Sequence, residues 1–503
     1  MASPSRLKRM WRLWHDLAFI FLGKGRQQAR VSARGRKGTG TSSSPKRTRR
    51  PAADRRILPP EMGRKTSPSP AREQLRDCSA QREATAASRS RLKRLWRFLH
   101  ALVLVVAVLW LVNTTVVRWI REAQQEAIVG PLRKHLRDVR FGLNGYVWSL
   151  HFARGNSATD AELESLRELT HLELLSLEGN GLTDQALAHL TGLKRLDNLY
   201  VTTDRPDGWK PAQWSDEGLS YLRGLNSLKT LYYRGARVTD AGFRNLEGLH
   251  NLERLCLDCR EATDDGLKSL AGLDHLEVLH LSNGPEMTGE GLAAIPNPSG
   301  LSELHLDFVT EGGMRTITRF TNLRELEIRG GALSVDGLRN LVVLTSLEKL
   351  DISRVSMDNR TLENAIGEIT RLKELRIHDC PITGDALKHL RRLKDLEVLD
   401  VSATWVDDTS TSYLDGFPRL RHLFLDQTSI TPASLPRLLR IRTLEWMAVP
   451  FSIPLTPERH RELLEALPKL EWLRTRDDDI DFSGKMPEGP GMKWHRPGKV
   501  KSG

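Results

Sequence analysis

"LERLCLDCREATDDGLKSLAGL", residues 252–273, is one copy of a unit that fills most of this 503-residue chain. The spacing L-x-x-L-x-L places its last two leucines, Leu255 and Leu257, on one face of a short β-strand. A turn with Thr-Asp follows, and leucines three residues apart then form one stripe of a short helix. The stretch therefore predicts a strand, a turn and a helix, each with one apolar side.

The unit recurs along the chain with nearly constant spacing. Its first apolar position falls at Val147, Leu172, Leu196, Leu228, Leu252, Leu276, Leu301, Leu323, Leu347, Leu372, Leu396, Leu420, Leu444 and Leu470. The one wide interval, after Leu196, holds the insertion "RPDGWKPAQW". A single unit cannot bury its apolar face, but a stack of units can, so residues 147–480 are predicted to form one solenoid domain.

Units such as "LKELRIHDCPITGDALKHLRRL" resemble the leucine-rich-repeat family, in the 24-residue type of bacterial and F-box-associated members. Asn180 and Cys380 occupy the position at which that family ends its strand with Asn or Cys. Most other copies depart from this pattern, with Ala236, Val309, Gly331 and Thr404. The resemblance implies an α/β solenoid with parallel strands on a concave face, helices on a convex face, and partner binding as its role.

An apolar run, "FLHALVLVVAVLWLVNTTVV", precedes the repeats at residues 98–117. At 1.5 Å per residue it covers about 30 Å, the thickness of a bilayer's hydrocarbon core. Residues 91–120 are therefore predicted to be a transmembrane anchor, with a buried core helix as the alternative. The residues predicted to flank the membrane are Arg91, Lys93, Arg94, Trp96, Arg97 and Trp119.

Positive charge is concentrated before the predicted anchor. Residues 1–100 contain 26 Lys and Arg against 6 Asp and Glu, which leaves 50 against 57 for residues 101–503. Since basic residues stay on the cytoplasmic side, this favours a cytoplasmic N-terminus and an exported repeat domain. Arg118 and Arg121 on the other flank weaken the asymmetry.

The N-terminal residues 1–90 are rich in Ser, Pro, Gly and Arg, and are predicted to be a disordered basic tail. "RLKRMWRLWHDLAFIF" resembles the phrase before the anchor but lacks a long apolar run, which suits an interfacial helix at 6–22. The tail is expected to contact anionic lipid headgroups or only solvent. "PKRTRR", at 45–50, supports the alternative of a soluble or nuclear regulator that binds nucleic acid. Residues 121–146 are predicted to be a juxtamembrane helix and linker, and 481–503 a flexible tail.

The position between the last two frame leucines points outward in every copy, so it predicts the side chains of the concave face. Aromatic and charged residues there suit a protein partner. The predicted partner-binding residues are Tyr200, Tyr232, His280, His305, Asp351, Arg376, Phe424 and Trp446. A structural alternative is that Asp351, Arg376 and Asp400 only pair with one another across the strands.

Cys256, Cys259, His275 and His280 have zinc-finger spacing. The repeat frame places Cys259 at a strand end and His275 in a loop, so we predict no bound metal or cofactor. A metal or redox site at Cys256, Cys259 and His280, with Asp258, is the alternative. No nucleophile elbow, phosphate loop or paired-histidine hydrolase motif occurs, and no catalytic residue is predicted. The predicted function is a membrane-anchored, non-enzymatic interaction module.

Overall fold

A computed structural model describes residues 70–178, 181–202, 214–331, 333–450, 452–454, 457–474 and 479–481, with side chains from residue 94 onward except at 457, 458, 460, 464 and 479–481. The chain divides after Ala123 into two compact units. The predictions for residues 1–69, including the interfacial helix at 6–22, and for the tail at 482–503 lie outside the described residues.

The first unit contributes most of one long helix, Pro70–Val129. Its apolar side chains are exposed rather than packed, as Phe98 (67%) and Trp110 (66%) illustrate. The helix is long and apolar enough to cross a membrane, and none of its most apolar window is buried inside the protein. The alternative of a buried core helix is therefore wrong for this structure.

The helix begins earlier than the sequence predicts. Residues 70–90, which the sequence predicts to belong to the disordered tail, are helical. The segment "PAREQLRDCSAQREATAAS" has Pro at the first helical position and many Ala, Arg, Glu and Gln residues, which favour helix. Arg91, Lys93, Arg94, Trp96 and Arg97 thus lie within a continuous helix.

Within the described residues, the second unit is built on a 16-stranded sheet. A separate pair of short strands joins Trp214–Ser215 to Ala236–Arg237. The outermost pairs of the 16-stranded sheet, β1 with β2 and β17 with β18, are antiparallel, and the pairs between them are parallel. The strands are β1 (Leu136–Phe141), β2 (Val147–Phe152), β3 (Leu174–Glu178), β4 (Asn198–Thr202), β5 (Trp214–Ser215), β6 (Thr230–Tyr233), β7 (Ala236–Arg237), β8 (Arg254–Cys259), β9 (Val278–Asn283), β10 (Glu303–Leu306), β11 (Glu325–Ile328), β12 (Lys349–Asp351), β13 (Glu374–Arg376), β14 (Val398–Asp400), β15 (His422–Phe424), β16 (Trp446–Ala448), β17 (Trp472–Arg474) and β18 (Asp479–Asp481).

Short helices follow the strands. The α-helices of this unit are Asp184–Ala188, Asp216–Ser220, Asp240–Phe243, Asp264–Leu267, Glu311–Ile317, Val335–Arg339, Asn359–Asn364, Ala386–His389, Leu435–Leu438 and Pro457–Ala466. The 3-10 helices are Gly130–His135, Asp160–Glu168, Arg244–Leu246, Lys268–Gly272, Glu290–Ala294, Asn340–Val343, Ile366–Glu368, Leu390–Arg392, Ser410–Gly416 and Pro432–Ser434. Frame leucines of both kinds of element are buried, so the architecture is the leucine-rich α/β solenoid that the frame predicts.

Threonine and aspartate in the turns hold neighbouring repeats together. Thr239 caps the helix that follows it, and its N–H and hydroxyl donate to the Asp216 carboxylate of the preceding repeat at 2.9 and 2.6 Å. The same pairing recurs as Asp160 with Thr183, Asp184 with Ser215, Asp240 with Thr263, Asp264 with Thr288, and Asp408 with Thr431. We call this series the Thr-Asp ladder. Each step satisfies a backbone donor at a helix start with a charged acceptor.

The segment 121–146, predicted to be a juxtamembrane helix and linker, is helical to Val129, whereas its remainder completes the domain. Its helix ends at Val129, and β1 then pairs with β2. Val129 and Leu132 are buried, and the Val147 N–H donates to Gln125 Oε1. The antiparallel strand covers the edge that the first repeat would otherwise expose.

Candidate functional site: the open face of the sheet

One side of the sheet faces away from the buried leucines, and we call it the open face. Its middle row of side chains is in direct register from strand to strand, and we call that row the central ladder. The central ladder consists of Tyr200, Tyr232, Cys256, His280, His305, Glu327, Asp351, Arg376, Asp400 and Phe424. The frame thus places every residue of this row correctly.

A second row lies two residues earlier in each strand and shares the open face. It contributes Glu303, Glu325, Lys349, Glu374, His422, Trp446 and Trp472. The acidic members of this row are absent from the predicted partner-binding residues, because that prediction covers the position between the two frame leucines. Trp446 belongs to this row rather than to the central ladder.

Two tyrosines and a buried cysteine form one end of the central ladder. The rings of Tyr200 and Tyr232 stack with centroids 5.0 Å apart. Burial raises the pKa of Tyr232 to about 12, so this phenol stays neutral. Cys256, next to it, is fully buried, and burial raises the pKa of its thiol to about 11.

The alternative of a metal or redox site at Cys256, Cys259 and His280 finds no support in this geometry. Both thiols are fully buried, and burial also raises the pKa of Cys259. Thiolate is the form that binds metal and reacts, and burial opposes it at both positions. Only His280 of this set joins the metal-compatible cluster found among the described residues.

A concavity of about 620 Å³ lies over the middle of the central ladder. Its basic lining residues are Arg234, Arg329, Lys349 and Arg376, and its acidic ones are Glu303, Glu325, Glu327, Asp351 and Glu374. Parallel strands about 4.8 Å apart force these side chains close together, because each position repeats in register. The result is a shallow surface of alternating charge rather than a basic or an apolar pocket.

His280 and His305 form the centre of this concavity together with three glutamates. The two imidazole rings stack 3.8 Å apart with 5° between their planes. His280 Nε2 lies 2.6 Å from Glu303 Oε1, and His305 Nε2 lies 3.3 Å from Glu325 Oε1. The second ring nitrogen of His305, Nδ1, lies 3.2 Å from Glu327 Oε2. Adjacent positions on neighbouring strands bring these groups together.

These contacts keep Glu303 and Glu325 ionised. The hydrogen bond with His305, supported by Lys349, lowers the pKa of Glu325 to about 2. The hydrogen bond with His280 lowers the pKa of Glu303. Burial lowers the pKa of His280 itself, although Glu303 opposes that effect. The cluster therefore presents negative charge beside an imidazole that resists protonation.

The predicted pairing of Asp351, Arg376 and Asp400 is wrong in its partners. Arg376 Nε donates to Glu374 Oε1 at 2.6 Å, two residues earlier on its own strand. Asp351 and Asp400 each accept from the backbone N–H two residues on, at 3.0 Å. Burial raises the pKa of Asp351. Glu374 lies on the same strand and the same face as Arg376, and it binds the guanidinium in place of Asp351 and Asp400.

The other end of the open face is aromatic. Phe424 contacts Trp446 edge to face, with ring centroids 4.5 Å apart, and the guanidinium of Arg474 lies 5.8 Å from the Phe424 centroid. Phe424 is only 1% exposed. Phe424 therefore packs against Trp446 and is itself too buried to contact a partner. Trp446 is the residue of this pair that can make such a contact.

No protein-family model matches the chain, and no curated protein matches it either. Several solved structures are similar to it. An internalin (inlF) from Listeria monocytogenes is 19% identical, with a TM-score of 0.46, over 71% of this chain and 94% of its own. A leucine-rich-repeat protein from Leptospira interrogans is 16% identical, with a TM-score of 0.35, over 61% and 85%. A TLR13–ssRNA13 complex is 17% identical, with a TM-score of 0.39, over 65% and 48%.

Proposed function

We propose that the repeat domain is a non-enzymatic protein-binding module that uses its open face. The observation that supports this most is the arrangement of side chains along the open face. Half-buried tyrosines stand at one end, a half-buried tryptophan pair at the other, and a mixed-charge concavity between them. Tyr, Trp and Arg are the side chains that dominate binding energy in protein interfaces.

The charge of the concavity favours a protein over nucleic acid. Its lining holds five carboxylates and four basic side chains, whereas a nucleic-acid surface needs an excess of basic residues. Its shallow shape also lacks the apolar enclosure that small-molecule sites share. Alternating charge suits a partner that presents a complementary pattern, and such complementarity contributes mainly to specificity.

We further propose that the helix at 91–120 anchors the protein in a membrane. Exposed apolar side chains along the helix are stable in lipid and costly in water. The basic flank, with Arg94 and Arg97 exposed beside Trp96, favours a cytoplasmic N-terminus and an exported repeat domain. Protease added to intact cells should then remove the repeat domain, and full protection would reverse this orientation. The basic residues 1–69 add an attraction to anionic lipid headgroups in this arrangement.

Photo-crosslinking in intact cells tests the binding face. A photoreactive phenylalanine analogue replaces Tyr232 on the open face or, as a matched control, Tyr221 on the helix side, where its hydroxyl donates to Glu217. Both positions are tyrosines of intermediate exposure. A discrete crosslinked adduct is expected from position 232 and none from position 221.

The reverse crosslinking pattern would contradict the proposal. If position 221 gives the adduct and position 232 gives none, the partner binds the helix side. If neither position crosslinks and an analogue at Trp446 is equally silent, the open face is not a binding surface in these cells.

A further inference from the structure

The cluster of His280, Glu303 and His305 has an unbalanced set of charges. Glu325 is paired with Lys349 at 2.8 Å, and Glu327 forms an ion pair with Arg329. Among the described residues, the only ion-pair partners of Glu303 are the two imidazoles. One carboxylate of three thus lacks a permanently charged partner.

His305 also has more carboxylate neighbours than ring nitrogens. Nδ1 lies beside Glu327, and Nε2 lies 3.3 Å from Glu325 and 3.5 Å from Glu303. A ring nitrogen holds at most one proton, so Nε2 cannot direct a hydrogen bond at both Glu303 and Glu325. A cation between Nε2 and Glu303 would remove this conflict.

We propose that His280 Nε2, His305 Nε2 and the Glu303 carboxylate bind a divalent transition-metal ion of the zinc class on the open face. Imidazole and carboxylate together are the ligands of such ions, and three protein ligands leave a position open to the concavity. This proposal concerns metal binding alone and does not depend on whether the open face binds a protein.

The distances between the ligand atoms fit such an ion. All three lie within 4.8 Å of one another. Bonds of about 2.0–2.1 Å in a tetrahedral site place ligand atoms roughly 3.4 Å apart. The distances from Glu303 Oε1 to the two Nε2 atoms are 2.6 and 3.5 Å, so they need to change by less than about 1 Å. At least one of the two stacked rings must also turn, because parallel rings do not direct both lone pairs at one ion. The proton between His280 and Glu303 leaves when the ion enters.

The residues around the site support the ligands. Glu327 lies on Nδ1 of His305, which is the contact that commonly orients a metal-binding imidazole. Glu325 lies 3.3 Å from His305 Nε2, where it can hydrogen-bond a metal-bound water. Arg234 and Lys349 also line the concavity, and their positive charge opposes a cation. Glu303 is the glutamate whose charge pairs with no Lys or Arg among the residues that the structure describes, and it lies directly on the two ring nitrogens.

Zinc binding by the purified full chain tests the proposal. The protein is stripped with EDTA in detergent and titrated with zinc against a chromophoric chelator. One equivalent per chain is expected to bind. Glu303→Gln and His305→Ala should abolish it, and Glu327→Gln should weaken it about 10- to 100-fold, as outer-ligand changes do. His378→Ala, at another half-buried histidine outside the cluster, should bind zinc as the unchanged chain does.

A measurement on the unchanged chain guards against variants that fail to fold. Zinc should protect His280 and His305, but not His378, from modification by diethylpyrocarbonate, as read by mass spectrometry. The proposal is overturned if the unchanged chain retains no zinc, if Glu303→Gln binds it equally well, or if zinc leaves both histidines unprotected.

Discussion

At the scale of single residues, partly buried charges on the open face lower the free energy of unfolding. Asp351 is the clearest case, because burial raises the pKa of its carboxyl. The folded state therefore holds this charge at a cost that the unfolded chain does not bear. Hydrogen bonds from the Ser353 backbone and hydroxyl reduce that cost.

We expect Asp351→Asn to stabilise the protein at neutral pH by about 1 kcal/mol, the usual size of a single-residue effect. The amide oxygen still accepts from the Ser353 N–H, while the buried charge is gone. A raised carboxyl pKa means that the unchanged protein loses stability as pH rises from the unfolded value, 3.8, through the folded one. The gain should thus be present at pH 7 and vanish below pH 3.8.

Urea denaturation at several pH values measures this effect. Asp415→Asn, on an exposed side chain, serves as the control and should leave the midpoint unchanged. A destabilised Asp351→Asn variant at pH 7 would show that the carboxylate makes a compensating contact, which would contradict this account.

At the scale of elements, the Thr-Asp ladder joins successive strand-helix units. Asp264 accepts from the backbone N–H groups of Thr288, Gly289 and Gly291 in the next repeat, at 3.0–3.1 Å. Asp265, the next residue, is exposed and bonds only locally to Lys268. Adjacent aspartates in one turn therefore have different roles.

Asp264→Ala should lower the free energy of unfolding by about 2 kcal/mol or more, since it leaves donors of the next repeat without an acceptor. Asp265→Ala should leave it nearly unchanged, as expected for an exposed ion pair. Guanidinium denaturation of both variants is the measurement. Equal losses would mean that the ladder does not couple the repeats.

The frame of leucines predicted the strands, their register and the central ladder, because the spacing alone decides which side chains share a face. It could not predict that Phe424 is buried, since its cover comes from Trp446 and Arg474 on neighbouring strands. Nor could it identify β1, whose sequence "LRDVRF" lacks the frame. The position two residues before the central ladder holds Glu303, and the same spacing rule predicts that it lies beside His280 and His305.

The strand-end position shows the same limit. Cys380 occupies it as the resemblance implies, and its Sγ donates to the Ile352 carbonyl. Asn283 lies one residue earlier in its copy and also hydrogen-bonds the backbone. Its side chain donates to the Phe308 carbonyl and accepts from the Asp307 N–H. Asn180 lies outside the described residues. The Thr383 N–H donates to the Asn359 side chain, and the next helix begins after Asp385.

At the scale of the whole molecule, we propose a membrane anchor and a partner-binding solenoid in one chain. The two units are built on opposite principles. The solenoid buries its leucines between strands and helices, whereas the helix at 91–120 leaves its leucines and valines exposed. Exposure on this scale is costly in water, and the proposed lipid environment removes that cost.

Membrane retention tests this central claim most directly. The full chain is expressed in cells, and its membranes are washed with alkaline carbonate, which releases peripheral proteins. We predict that the unchanged chain stays in the pellet and that Val105→Arg with Leu109→Arg moves to the supernatant, since each central arginine costs about 2.5–3.5 kcal/mol on insertion. Val343→Arg, at an exposed valine of the solenoid, should stay in the pellet. Release of the unchanged chain by carbonate would contradict the account.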